Sequence, residues 1–166
     1  MIEGFATPEG TSNFARKTLA HKENFRKIEE LTLSNIGIGT YLGNPDLETD
    51  ILQKNAIKQS ILHGINVIDT AINYRAQKSE RTVGKAISEL IQEGKITRSE
   101  IFVSTKNGYV TNDADIQEDF MAYVMKEFGK TGIVKEGDIS AQYNCMTVPF
   151  LEDQLARSQK NLGLDC

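Results

Sequence analysis

The stretch Asn66-Val67-Ile68-Asp69-Thr70-Ala71-Ile72-Asn73-Tyr74 decides how this chain is read. A short apolar run ends in a carboxylate, and a phenol follows five residues later. A second run, Ile101 to Thr105, ends in Lys106, thirty-two residues beyond Tyr74. If the two runs are neighbouring parallel strands, Asp69, Tyr74 and Lys106 gather at one rim of a sheet. Strands lie about 4.8 Å apart, so side chains at adjacent strand ends can meet. An acid, a phenol and an amine gathered there can pass a proton to a carbonyl oxygen.

Helix signals lie on either side of the quoted strand. Leu47 to His63 reads as a helix in which Ile51, Leu52, Asn55, Ala56, Gln59 and Leu62 approximate one face, with Gly64 as the stop. Ahead of it, Ile36-Gly37-Ile38-Gly39-Thr40-Tyr41 reads as a strand running into a Gly43-Asn44-Pro45 loop. Its alternate glycines leave one face bare, so close packing is expected there. After Tyr74, Ser79 is the expected N-cap, with Glu80 in the positive first turn. Val83, Ala86, Ile87, Leu90 and Ile91 then fall at i, i+3, i+4, i+7 and i+8, and Gly94 ends the helix.

The order is therefore strand, helix, strand, helix, strand with short connections, which argues for βαβ units and a parallel sheet. Right-handed crossovers put the helices on one side of that sheet. Parity assigns Val67 and Asp69 to one face of the second strand. In the third, Phe102, Ser104 and Lys106 share one face, and Ile101, Val103 and Thr105 the other. Such strands suit an α/β barrel, with helices outside and a functional rim above.

Residues 1–24 mix Gly, Thr, Ser and charge and read as an N-terminal extension, with a short helix through Phe14 to Lys22. Phe25 to Ile28 and Leu31 to Leu33 pair as a small hairpin. Beyond Lys106, residues 107–147 form a long excursion that carries an amphipathic pattern of Ile116, Phe120, Tyr123, Val124 and Phe128, closed by Gly129. A helix from Val148 or Pro149 to Leu162 has Pro in its first turn and Gly163 at its end. The sequence reaches Cys166 where a fourth strand is expected to begin.

Composition bounds the partners. The chain has 166 residues, 39% hydrophobic and 25% charged, with a net charge of -4, which suits one globular domain with a real core. No basic stripe with interleaved aromatics is present, so nucleic acid is not an expected partner. No apolar run approaches about 18 residues and the N-terminus has no signal-peptide core, so no membrane partner is expected. Cys145 and Cys166 lack metal-ligand spacing; no metal site is expected, and reduced thiols in the cytoplasm are the simplest reading.

Four landmarks carry a resemblance: Asp69-Thr70-Ala71-Ile72-Asn73-Tyr74, Ser79-Glu80-Arg81-Thr82-Val83-Gly84-Lys85-Ala86-Ile87, Phe102-Val103-Ser104-Thr105-Lys106 and Ile36-Gly37-Ile38-Gly39-Thr40-Tyr41. In this order they resemble the aldo-keto reductase superfamily, closely over Phe25 to Asn107 and in outline over Phe150 to Asp165. The resemblance implies a (β/α)8 TIM barrel, of which about the first three βα units are present here, where a closed barrel has eight in roughly 250 residues. It implies the N-terminal part of a longer protein, inactive alone, with residues 107–147 as a loop insertion.

The activity implied is reduction of a small-molecule carbonyl, or oxidation of the alcohol, with NADP or NAD. Family members use Asp, Tyr, Lys and His; Asp69, Tyr74 and Lys106 match the first three, and the histidine belongs on the fourth strand. Gly39, Thr40, Tyr41 and Asp69 are the cofactor-contacting candidates, with packing an equal alternative for Thr40 and Tyr41. Arg75 stands where many members have Gly, a departure beside the substrate. In the implied chemistry a phenol, with a free pKa of about 10, is a poor acid at neutral pH, and a nearby ammonium favours its ionised form. Lys106 supplies that charge and Asp69 keeps it protonated. A non-catalytic binding or regulatory relative is the alternative. A Schiff-base aldolase using Lys106 is a third reading, in which the Tyr74 spacing has no purpose. The 107–147 excursion is expected to act as a lid over the substrate.

Overall fold

The computed structural model describes residues 1–140 and 142–165; Cys166, half of the thiol reading, lies outside them. The repeated strand–helix rhythm produces β3 (Ile38–Gly39), α2 (Leu47–Leu62), β4 (Val67–Asp69), α3 (Lys78–Gln92) and β5 (Phe102–Ser104). The three strands form one parallel sheet in the order β3-β4-β5. Its register places Ile38, Ile68 and Val103 in one row and Gly39, Asp69 and Ser104 in the next. Because side chains alternate along a strand, these rows face opposite ways. The aliphatic row packs with Ile57, Ile61, Val83, Ile87 and Leu90 from the helices. The polar row faces away from that core, as parity predicts.

An antiparallel hairpin of β1 (Phe25–Ile28) and β2 (Leu31–Ser34) sits at the N-terminal ends of the parallel strands. Asn66 latches it there: its Oδ1 accepts from Ser34 N at 2.8 Å, and its Nδ2 donates to the carbonyls of Thr32 (3.1 Å) and Glu100 (3.3 Å). The opposite end of the sheet, where Asp69 lies, is left clear.

Three local expectations are corrected. The first helix, α1, runs Pro8–Lys17, not Phe14 to Lys22. Pro8 suits its first turn, and the Thr7 hydroxyl accepts from Gly10 N at 3.0 Å, which fixes the earlier start. In α2, the face expected to be buried is the exposed one: Ile51, Leu52 and Leu62 face outward, while Ile57 and Ile61 enter the core. Ile57 and Ile61 pack there with Val83, Ile87 and Leu90 of α3, and the contact is flanked by ion pairs of Lys54 and Lys58 with Glu89 at 2.6 and 3.0 Å and of Lys58 with Glu93 at 2.7 Å. Helix α3 begins after Gln77, not Ser79; Ser79 instead donates its hydroxyl to the Thr40 carbonyl at 2.7 Å.

Helix α5 (Val148–Leu162) packs beside α3 at Gly84, where any Cβ would collide with the Leu162 carbonyl. The chain then enters Leu164, which pairs in parallel with Ile2. Within the 107–147 excursion, α4 (Phe120–Val124) continues as one π-helical turn (Met125–Gly129). Tyr123, Val124 and Phe128 form a second apolar cluster with Val110, Val134, Cys145 and Phe150, with Phe120 packed against it, so the predicted stripe is a packing face from Phe120 to Phe128, while Ile116 stays exposed. The two ends of the excursion are pinned together by Val110 N to Tyr143 O and Cys145 N to Gly108 O, both 2.8 Å.

Candidate active site

The C-terminal ends of β3, β4 and β5 define the rim. Just beyond them the ladder continues: Thr40 N donates to Asp69 O (3.1 Å), Thr70 N to Ser104 O (2.9 Å) and Ile72 N to Lys106 O (3.1 Å). These bonds hold the segment 69–72 alongside 104–106 and bring the carboxylate and the amine together. Lys106 Nζ donates to both carboxylate oxygens of Asp69, at 2.9 and 2.8 Å, and to the Thr70 carbonyl at 2.8 Å. All three ammonium hydrogens are thus directed.

Tyr74 follows on a short turn, its N donating to Ala71 O at 3.1 Å. Its ring centroid lies 4.9 Å from Lys106 Nζ, within the range of attraction between a cation and an aromatic face. Tyr41 meets the same ring edge-on, with centroids 5.0 Å apart at 71°. The sequence-predicted trio is therefore assembled. Partial burial works against the Lys106 charge, but the bonds to Asp69, followed by the neighbouring Tyr74 phenol, outweigh it, and its pKa stands above the usual lysine value.

Of the other candidates, Gly39 pairs with Asp69 across the sheet and has open space where a side chain would stand. The close packing expected of its bare face is met at Gly37, against Val67, but not at Gly39. Thr40 is buried; its hydroxyl bonds to the Thr70 hydroxyl at 2.8 Å, and its carbonyl also accepts from Gln53 Nε2 at 3.0 Å. Tyr41 is largely exposed. An open cleft of about 560 Å³ is lined by Tyr41, Leu42, Gly43, Asn73, Arg75 and Tyr109; the trio does not line it, but Tyr41 packs on the Tyr74 ring. A larger groove, about 780 Å³, runs between α3 and α5 and likewise contains none of the trio. Of its charged lining, Arg81 is paired with Asp113 and Asp115 and Arg157 with Asp153 and Glu127, while Lys85 and Lys160 make no ion pair among the described residues.

Two contributors escaped the sequence reading. The Thr70 carbonyl, which takes the third Lys106 hydrogen, has no residue-type signal. The turn Arg75-Ala76-Gln77 has none either, since it lacks the Gly, Asn or Asp that marks unusual backbone. Arg75 is buried beneath the rim, donating to Asn44 O (2.8 Å), Gln53 Oε1 (3.0 Å), Asp46 O (3.2 Å) and Asp50 Oδ1 (2.6 Å).

Comparison with known proteins places this geometry. A family model described as "Aldo/keto reductase family" matches residues 35–166. Among curated relatives, "Aldose reductase C" of Dictyostelium discoideum is 30% identical over 95 residues, covering 57% of this chain and 27% of that protein. The "NADH-specific methylglyoxal reductase" of Escherichia coli is 35% identical over 86 residues, covering 49% and 24%. The chain thus spans about a quarter of the length of these two relatives. Among solved structures, an aldo/keto reductase from Klebsiella pneumoniae in complex with NADP and acetate superposes with a TM-score of 0.50 at 20% identity, covering 82% of this chain and 34% of that one. The holo form of aldo-keto reductase AKR11C1 from Bacillus halodurans gives 0.51 at 20%, covering 86% and 37%. These likenesses show the fold: the three βα units belong to the TIM-barrel family.

Proposed function

The chain belongs to the aldo/keto reductase family, and from that premise we propose that the protein containing it is an NAD(P)H-dependent oxidoreductase that reduces a small carbonyl compound with Tyr74 as the proton donor. The observation that carries this is the Lys106 ammonium held by Asp69 with the Tyr74 ring 4.9 Å away. Relatives described as NADP-bound and as NADH-specific support a nicotinamide cofactor. The residues fit such a group: Gly39 leaves open space in the same row as Asp69, next to the phenol and the amine. Gly39, Tyr41 and Asp69 front that space, while Thr40 shapes it from behind. When bound, the cofactor supplies the hydride.

The chain's own residues handle the proton. As the carbonyl oxygen gains negative charge, the Tyr74 hydroxyl gives it a proton, and a positioned acid contributes on the order of 100- to 10,000-fold. The phenolate left behind is stabilised by the Lys106 ammonium. Asp69 keeps that ammonium charged and, with the Thr70 carbonyl, aimed. Tyr41, Leu42 and Tyr109 line the cleft together with the polar Asn73 and Arg75, a mixed surface that can receive a small polar carbonyl compound. Tyr109 belongs to the 107–147 excursion, which supports a role for that segment in restricting the substrate.

In the full-length protein, Tyr74→Phe is expected to abolish NAD(P)H oxidation by aldehydes such as methylglyoxal while leaving cofactor binding nearly intact. Equal turnover by the variant overturns the assignment. The chain of 166 residues is proposed to be inactive by itself, because it spans about a quarter of the length of the curated relatives it matches and its parallel sheet has three strands among the described residues, where a closed barrel has eight. Tight NADPH binding by the isolated chain, followed by fluorescence, would contradict that. A cytoplasmic location forms part of the same proposal.

A further inference from the structure

Three consecutive residues after Tyr74 hold left-handed backbone: Arg75 at φ 52°, Ala76 at 48° and Gln77 at 74°. None is glycine, asparagine or aspartate, so each carries a steric penalty. Such a conformation persists only when the surrounding structure over-determines it. Two buried side chains do so from opposite sides. The Arg75 guanidinium, whose side chain is 1% exposed, is bonded to the 44–46 loop and to α2 through Asp50 and Gln53. Gln77, 2% exposed, donates through Nε2 to the Asn112 carbonyl and the Tyr123 hydroxyl, both at 3.2 Å, and accepts at Oε1 from Asn161 Nδ2 at 3.2 Å. Between them, the Ala76 carbonyl accepts from Ala114 N at 3.1 Å.

These bonds reach different parts of the molecule. Those of Arg75 end on the segment before α2 and on α2 itself. Those of Ala76 and Gln77 end on the 107–147 excursion and on α5. Tyr74 lies directly ahead of the turn, and its carbonyl accepts from Ser79 N at 3.4 Å, closing the loop back onto α3. Its backbone is therefore fixed by β4 on one side and by the clamped turn on the other.

We propose that Arg75 and Gln77 are positioning residues for Tyr74: a buried guanidinium and a buried amide clamp the left-handed turn and so hold the phenol against Lys106. Gln77 makes the excursion a working part of that clamp. The kinetic consequence rests on the carbonyl-reductase reading; the placement of the ring does not.

Gln77→Gly and Gln77→Asn separate the side chain from the backbone. Glycine and asparagine enter the left-handed region more readily than glutamine, but neither carries an amide long enough to keep the three bonds. The ring is followed by ¹⁹F NMR of this chain labelled with 3-fluorotyrosine, the Tyr74 line being assigned by its loss in Tyr74→Phe. Both Gln77 variants are expected to shift and broaden that line. In the full-length protein they are expected to lower kcat on the order of 10- to 100-fold, with cofactor Kd unchanged. An unmoved Tyr74 line in both variants, with wild-type circular dichroism, overturns the proposal. Should either variant fail to fold, the same line in Asn161→Ala, which removes one of the three Gln77 bonds together with the Asn161 bonds to Glu80 and Arg81, decides the question in the same way. A full-length wild type that reduces no carbonyl sinks the reductase reading and leaves the NMR result to judge the clamp.

Discussion

Lys106 reaches across from the end of β5 and holds both carboxylate oxygens of Asp69, at 2.9 and 2.8 Å, while its remaining hydrogen is taken by the Thr70 carbonyl. The ammonium is thereby oriented by one side chain and one main-chain group on the same neighbouring strand. Both charged side chains are about half exposed, 46% for Lys106 and 50% for Asp69. Solvent screens the pair, so its value lies in orientation and not in stability.

Asp69→Asn tests that relationship. Partial burial lowers the Lys106 pKa, and Asp69 is the largest influence raising it. Without the carboxylate, the ammonium loses its proton at lower pH. The alkaline limb of kcat/KM in the full-length protein is expected to move down in pH, with kcat reduced on the order of 10- to 100-fold. An unchanged pH profile would show that Asp69 does not govern Lys106.

The network beneath the rim is expected to fail in acid. Burial opposes ionisation of Asp50, but the bonds from Lys78 and Arg75 hold its pKa below the usual 3.8. Asp113 is also opposed by burial and held down by Arg81, and Asp115 is held down by Lys78 first. A carboxylate with a depressed folded pKa stabilises the fold above its unfolded value and loses that contribution as pH falls through the folded one. Thermal unfolding of this chain should therefore show a Tm that falls as pH drops below about 4. Asp50→Asn should reduce the acid-dependent part of that fall.

Helix α2 offers a paired stability test. Ile57 is fully buried, whereas Ile51 is 50% exposed. Ile57→Ala is expected to destabilise this chain by about 2–4 kcal/mol through lost burial and a residual cavity. Ile51→Ala should lie within about 0.5 kcal/mol of wild type. Urea unfolding of both variants reads the difference, and equal losses would mean that the helix is rotated from the orientation described.

Much of the fold was legible because its signals are local. Alternation within Val67 to Asp69 and Phe102 to Ser104, and the 3.6-residue spacing of Val83, Ala86, Ile87 and Leu90, fix element type wherever they occur. The spacing from Asp69 to Tyr74, and on to Lys106, placed three functional groups at one rim once the strands were parallel neighbours. Gly84 was readable as part of a motif, although its reason, the Leu162 carbonyl against its α-carbon, needed both helices.

The sequence by itself therefore determined the βαβ order, the parity of each strand and the identity of the acid, phenol and amine. The tertiary structure alone decided which face of α2 enters the core, because that helix is apolar on more than one side and only the packing of Ile57 and Ile61 against Val83, Ile87 and Leu90 of α3 selects the rotation. It alone decided the left-handed turn at 75–77, because a positive φ in residues with no intrinsic preference for it is set by partners distant in sequence, from Asn44 to Asn161. Periodicity is a property of neighbours along the chain, whereas rotation and strain are imposed by whatever the chain folds against.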